Sequence, residues 1–261
     1  MTRILITNDD GIHSPGLVTL AGEMKSVAPV AVVVPDREQS AIGTALTLHQ
    51  LLRARRARSI LPEVETCAVD GTPGDSVILA IDNLYRGEIG LVVSGINQGM
   101  NLGDDVLISG TVGAALQGYL RGLPAIAVSS DAEGELLLQT ARLTALLAKK
   151  ILNGSLPKNI FLNVNVPETP ATGEVVMTRL AHGTHIDTVD EGHDSKGAYY
   201  KLVRKRLDNQ ANADTDLYTV KQGKISITPL HVYLTSDPPT ACLDGLCEEL
   251  SREMAGRQTL N

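Results

Sequence analysis

The sequence predicts an α/β chain: a doubly wound, largely parallel sheet with a smaller β-rich extension at its C-terminal end. Three observations carry that reading. Short strand-like runs, several of them apolar and rich in β-branched residues, recur at 4–6, 30–34, 65–69 and 89–93; each empties into a loop of acids, polar residues or glycine; and helix signals follow most of those loops. A run that is apolar at every position is what a strand covered on both faces requires. The 261-residue length suits one large domain of this kind. Hydrophobic residues make up 43 %, but with one Phe and no Trp the core must be assembled from Leu, Ile, Val and Ala.

Taken in order, Ile4-Leu5-Ile6 runs into Thr7-Asn8-Asp9-Asp10-Gly11. A buried parallel strand delivers such polar groups to the carboxyl edge of its sheet, where open α/β folds place ligands. The adjacent carboxylates repel each other unless they are solvated or a cation lies between them; capping the next helix is the plain alternative. Residues 15–27 read as a helix, with Ser14 as N-cap and Pro15 at its first position. Residues 30–34 form a second strand that leads into the polar loop 36–43, which carries Ser40, and 44–48 read as a short strand. The basic run 53–58 reads as a solvated face, the sharper alternative being a guide for anionic substrates.

Strand 65–69 passes through Asp70-Gly71-Thr72-Pro73-Gly74-Asp75 into a helix at 75–84. Strand 89–93 opens into the glycine-rich stretch 94–105, which holds Asn97, Asn101 and the pair Asp104-Asp105, the pair reading as solvated turn. Ser109-Gly110-Thr111 starts a helix that closes at Gly122, and 124–129 is a further strand. Leu136, Thr140, Leu143, Leu147 and Ile151 recur at helical spacing until Asn153-Gly154 stops the helix. Strand 159–166 ends at Pro167. Beyond about 173 the texture changes: 175–180, 198–204 and 224–229 read as strands without intervening helices, and 243–254 as a last helix. His182, His185 and His193 read as surface histidines in a polar segment, and His13 and His49 sit near the acidic loops without a role. The expected division is a core at 1–172 and an extension at 173–261 suited to dimer contacts.

A net charge of −7 and a pI near 5.4 argue against broad binding of duplex nucleic acid, which runs on a basic surface. Cys67, Cys242 and Cys247 lack a convincing set of zinc partners and read as reduced structural thiols. No stretch approaches the roughly 20 apolar residues of a membrane span, and the first apolar run is too short for a signal peptide, so the expectation is a cytoplasmic protein without membrane partners. There is no phosphate-binding G-x-x-x-x-G-K-[ST] loop, no G-x-G-x-x-G after the first strand and no G-x-S-x-G elbow.

Three loops are placed to converge on Asp9 and Asp10: those holding Ser40, holding Asn97 and Asn101, and opening the helix at Ser109. Carboxylate, hydroxyl and amide oxygens are hard ligands that suit Mg²⁺ or Mn²⁺ rather than zinc or copper. Two carboxylates roughly neutralise such an ion. Ser109-Gly110-Thr111 at a helix N-terminus offers backbone N–H groups, two hydroxyls and the positive end of the helix dipole, a ready anion site. Each piece also has a plain reading, as turn residues for Ser40 and Asn97 and as a helix cap for Ser109–Thr111.

The five stretches 7–11, 69–75, 93–104, 109–115 and 226–230, dispersed in collinear order, together resemble the SurE family of metal-dependent nucleoside monophosphate phosphatases. The resemblance implies a single Rossmann-like domain over 1–261. It implies one divalent cation per subunit, held by Asp9, Asp10, Ser40 and Asn97, with Asp9, Asp10 and Asn97 catalytic. It also implies a phosphate site lined by Asn101, Ser109, Gly110 and Thr111. A nucleoside 5′-monophosphate, with 3′-monophosphates beside it, is the substrate so implied, and a homodimer or homotetramer with exchanged C-terminal elements is the assembly. Tyr199-Tyr200-Lys201 and Tyr233 depart from the family pattern, both within the extension. The competing readings are a non-catalytic, Mg²⁺-binding receiver-like switch and a module that binds nucleotides without hydrolysing them.

Overall fold

The computed structural model describes residues 2–169, 173–207, 212–233, 245–246 and 249–251. The chain divides into two units, Met1–Leu230 and His231–Asn261. Most of the helix expected at 243–254 lies outside the described residues, as do Cys242 and Cys247; Leu246 and 249–251 are helical. Cys67 is a buried free thiol.

In the first unit, strands β1 (Arg3–Thr7), β2 (Val30–Pro35), β3 (Ala54–Arg56), β4 (Glu65–Val69), β5 (Ile89–Gln98), β6 (Ala125–Ser130), β7 (Phe161–Val166) and β8 (Val175–Met177) alternate with helices through most of the chain. Helices α1 (Pro15–Met24), α2 (Pro73–Leu79), α3 (Gly110–Leu120) and α4 (Gly134–Leu152) fill the crossovers. The hairpin β9 (His185–Asp194) and β10 (Gly197–Arg206), then α5 (Asp216–Lys221) and β11 (Ile225–Pro229), follow. The main sheet has nine strands in the order β3-β4-β2-β1-β5-β6-β7-β11-β8. Its inner strands β4-β2-β1-β5-β6-β7 all run parallel, the order of a doubly wound, Rossmann-like sheet. β3 and β11 are antiparallel to their inner neighbours, and β9 and β10 pair only with each other.

Continuous apolar runs are explained by the two faces they serve. Ile4 and Ile6 of β1 and Val30, Val32 and Val34 of β2 join Leu17, Leu20 and Met24 of α1 and Ala141 and Ala145 of α4 in one core. The residues between them, Leu5, Ala31 and Val33, pack on the other face with Val77 of α2 and Ala114 of α3. Each fully buried Leu or Ile contributes about 1.5–3 kcal/mol of transfer free energy, so the sheet needs no aromatic centre.

The local signals act mostly as expected. Pro15 begins α1, although the Ser14 side chain makes no capping bond. α2 starts earlier than expected, at Pro73, because Thr72 and Asp75 form a reciprocal capping box; past Leu79 it loosens into a π-helical turn, Ala80–Leu84. Residues 44–48 are not a strand. Their backbone is taken by the same box: Thr47 N–H donates to Asp75 Oδ1 (3.0 Å) and Ala45 C=O accepts from the Thr72 hydroxyl (2.8 Å). The basic run supplies the exposed edge strand β3, where Arg55 meets Asp36 at 3.7 Å.

β9 was not expected in its polar segment; it has no continuous apolar face and exists through its ladder with β10. A helix, α5, does interrupt the later strands, capped by Thr215. Among the described residues no helix is long and apolar enough to cross a membrane.

Gly16 lies where α1 crosses the end of β5, and a Cβ there would stand 2.1 Å from the Ile96 carbonyl oxygen. Alanine at an exposed helical site gains up to about 1 kcal/mol over glycine, but overpacking against fixed backbone costs about 1–3 kcal/mol or more. Gly16→Ala should therefore lower the melting temperature by several degrees in a thermal scan; an unchanged or higher value would contradict this packing.

Candidate active site

The sheet reverses its winding between β1 and β5, since the chain leaves β1 toward β2 and leaves β5 toward β6. Loops departing in opposite directions open a crevice at the carboxyl ends of these two strands. Asp9 and Asp10 leave β1 there, and Asn97 and Gln98 form the end of β5. The buried Asn8 closes the acidic turn by donating Nδ2–H to the Gly11 carbonyl at 2.9 Å. Gly11 has φ +89°, a left-handed conformation that glycine adopts without strain.

Asp9 is buried and points at the start of α3. Its Oδ2 accepts the Thr111 backbone N–H at 3.1 Å and its Oδ1 accepts the Thr111 hydroxyl. Ser109 caps the same helix through its hydroxyl, which accepts the Val112 N–H at 3.1 Å. Gly110 has to be glycine, because a Cβ would lie 2.7 Å from Asp9 Oδ2 and 2.9 Å from Asp9 Cβ. Asp9 also holds the Ser40 loop, its backbone carbonyl accepting the Gln39 N–H at 2.8 Å, and that loop is pinned again where the Gly43 N–H donates to Ile108 C=O. The first, second and fourth crossovers thus meet at Asp9.

Asp10 is less well served. Its Oδ2 is buried without a hydrogen-bond partner, as is Asn8 Oδ1. Burial first, then the charge of Asp9 and that of Glu38, push the Asp10 carboxyl up to about 6, against a counteracting backbone hydrogen bond from Gln98. Burial likewise raises the Asp9 carboxyl, opposed by its bonds to Thr111. The Gln98 bond fastens Asp10 to the residue after Asn97. Asn97 itself donates Nδ2–H to the Gly99 carbonyl at 2.6 Å, which leaves its Oδ1 as the acceptor. The Ser40 hydroxyl is exposed and donates to Glu38 Oε1 at 2.6 Å.

These oxygens form a hard donor set with two unsatisfied members, the chemistry Mg²⁺ or Mn²⁺ would accept. Among the described residues no three His, Cys, Asp or Glu side chains are grouped to hold a metal, so neutral oxygens must complete the set. Glu38 is a third acid that the sequence reading missed; only its place three residues after β2 hinted at it.

Asn101 stands deeper. Its Nδ2–H donates to the Ser129 hydroxyl at 2.7 Å, and its backbone is gripped by Asn165 and Asn163. Asp104 and Asp105 are more than solvated turn. Asp104 accepts the Gly183 N–H at 2.6 Å, and Asp105 lies 3.3 Å from both His185 Nδ1 and Arg204, tying the base of the β9–β10 hairpin to this loop. His185 is therefore not a surface residue, whereas the side chains of His182 and His193 are exposed. His13 and His49 are exposed too.

Comparison with known proteins gives these loops a family. A family profile described as survival protein SurE matches residues 4–187. A 5′-nucleotidase SurE from Dehalococcoides mccartyi (strain CBDB1) is 51 % identical over 241 residues, covering 90 % of this chain and 91 % of that one. Another of that name, from Geobacter sulfurreducens, is 42 % identical over 260 residues, covering 98 % and 97 %. The crystal structure of a SurE protein from Aquifex aeolicus superposes with a TM-score of 0.74 at 35 % identity, covering 90 % of this chain and 95 % of that one. By profile, by sequence and by fold, the chain belongs to the SurE family.

Proposed function

We propose that this chain is a metal-dependent phosphomonoesterase that hydrolyses nucleoside 5′-monophosphates, and 3′-monophosphates as a second class, to nucleoside and inorganic phosphate. The observation that carries the reading is the Asp9–Thr111 contact, which sets an acidic turn against the N-terminus of α3 at the sheet's switch point. The names of its relatives as 5′-nucleotidases support the substrate class. A receiver-like switch is not favoured: β5 continues through Asn97 and Gln98 without offering an acid as phosphoacceptor.

Asp9, Asp10, Asn97 and Ser40 would hold one divalent cation, Mg²⁺ or Mn²⁺, per subunit. That ion supplies Lewis-acid polarisation of a phosphoryl oxygen. Ser109, Gly110 and Thr111 present the positive end of the α3 dipole to the phosphate, and the Gly110 N–H, unpaired among the described residues, is the donor left for it. Asn101 braces the loop behind the phosphate. Asp9, fixed by Thr111, acts as base, taking a proton from the attacking water, or as nucleophile toward phosphorus, displacing the nucleoside to give a phospho-enzyme that water then hydrolyses. Residues 173–261 provide contacts for a homodimer or homotetramer. In support, Val189, Tyr200 and Leu202 are exposed on a two-stranded hairpin of a kind that is only marginally stable alone.

Release of phosphate from a panel of nucleoside monophosphates, with and without Mn²⁺, tests the activity. The wild type should need the cation, and Asp9→Ala should lower turnover by about 100-fold or more while the protein stays folded. Near-normal, cation-dependent activity in Asp9→Ala would overturn the assignment.

The second test is stability. A carboxyl whose folded pKa is raised binds protons more tightly in the native state, so its ionisation destabilises the fold as pH rises from the ordinary carboxylate range through about 6. Asp10→Asn should therefore raise the melting temperature of the cation-stripped protein at pH 7.5, lose that advantage below pH 4, and abolish turnover. If Asp10→Asn lowered the melting temperature at pH 7.5, the electrostatic account of the turn would be wrong.

A further inference from the structure

We infer that Asp216 and Asn165 are positioning residues, which fix the backbone of the loop between Asn97 and Ser109 and so aim the α3 N-terminus at the phosphate. The inference rests on the phosphatase reading above.

The loop is held at two points, two residues apart, by side chains from distant parts of the chain. At Asn101, Asn165 Oδ1 accepts the backbone N–H at 2.9 Å while Asn165 Nδ2–H donates to the carbonyl at 3.1 Å; Asn163 Nδ2–H donates to the same carbonyl at 2.8 Å. At Gly103, the N–H donates to Asp216 Oδ2 at 2.7 Å. Asp216 is fully buried, and its other oxygen accepts the N–H groups of Ala181 (2.9 Å) and Leu217 (2.8 Å). Asn163 and Asn165 are fully buried as well.

A buried carboxylate costs several kcal/mol in lost hydration unless its lone pairs are met. The start of α5 does not account for both oxygens: Thr215 already caps the helix through its hydroxyl and the Tyr218 N–H, and the Leu217 N–H takes only Oδ1. What only an acid can do here is accept on both oxygens at once, joining the segment around Ala181 to Gly103. Gly103 itself has φ +55°, and a Cβ on it would lie 2.5 Å from the Ala181 carbonyl oxygen, so the two segments are in backbone contact. From Gly103 the chain makes a short 3-10 turn to Leu107 and reaches the Ser109 cap. A loop fixed at 101 and 103 carries the start of α3 with it, and an error of about 1 Å in such a placement can cost about 100-fold in rate.

The substitution Asp216→Asn separates positioning from folding. Its amide oxygen can serve Ala181 and Leu217, while its NH₂ faces the Gly103 N–H, donor against donor. Asn165→Asp does the same at Asn101, keeping the acceptor for the N–H and setting an oxygen against the carbonyl. Thr215→Ala, which removes the α5 cap and leaves both links, is the control.

Turnover of adenosine 5′-monophosphate with Mn²⁺ and amide hydrogen exchange across 101–107 without substrate are measured on all three full-length variants. Asp216→Asn and Asn165→Asp should each lower kcat/KM by about 10–100-fold, mainly through kcat, with faster exchange at 101–107. Thr215→Ala should stay within about twofold of wild type in kcat and in exchange at 101–107, whatever its melting temperature, because it leaves the placement of the loop alone. Wild-type exchange at 101–107 in a folded Asp216→Asn or Asn165→Asp would overturn the inference, as would equal loss of kcat in Thr215→Ala. If the wild type itself released no phosphate, the functional reading would fall while the exchange arm still judged the clamp.

Discussion

The geometry of the crevice depends on a carboxylate at the end of the first strand accepting two hydrogen bonds from the first turn of a helix 102 residues later. The Asp9–Thr111 pair does for α3 what a local cap does for an ordinary helix, but from another element. It fixes the helix against the crevice, and the glycines of α3 let the helix come that close. Gly110 gives Asp9 room, and Gly118 lies against Val92 of β5, where a Cβ would be 2.5 Å from Val92 Cγ2. An α3 with ordinary side chains at these positions would stand off the sheet, and Asp9 would be left as an unpaired buried charge, a far more costly state than a paired one.

The central strands were legible in the sequence because burial on both faces leaves a one-dimensional mark, the continuous apolar run of β1, β2 and β5. The site loops were legible for a related reason: Asp9-Asp10-Gly11 and the glycine-rich stretch after Val93 break off apolar runs with acids, amides and glycines, residues a core admits only where they are partnered or where backbone must come close. What was not legible is what tertiary partners decide. Residues 44–48 had the pattern of a strand but lost their backbone groups to Thr72 and Asp75. β9 has no apolar face of its own and is a strand only beside β10. His185 looked like a surface residue because its partner Asp105, which Arg204 also meets, is remote in sequence.

The polar residues beneath the site follow the same logic. Asn163 and Asn165 alternate with apolar residues on β7, which in isolation describes a strand with one wet face. In the sheet both faces of β7 are covered, so the asparagines must be spent on something, and it is the backbone of Asn101. Two asparagines on one face of a core strand were a signal in the sequence. Their target, a main-chain carbonyl some sixty residues earlier, was not, because backbone groups carry no sequence mark.

The two adjacent acids end in unequal states, and the inequality bears on what the crevice can bind. Asp9 has its oxygens matched to donors; Asp10 keeps a buried oxygen with none, under the repulsion of Asp9 and Glu38. A phosphate monoester brings close to two further negative charges to this place. The helix dipole offers only about half a positive charge in return, and the charges that press on Asp10 from Asp9 and Glu38 are negative as well. Left to these groups the crevice would repel its proposed substrate. A divalent cation held as proposed would reverse that balance and would also satisfy the idle oxygen of Asp10, so the unsatisfied acid and the repulsion of phosphate would have the same remedy.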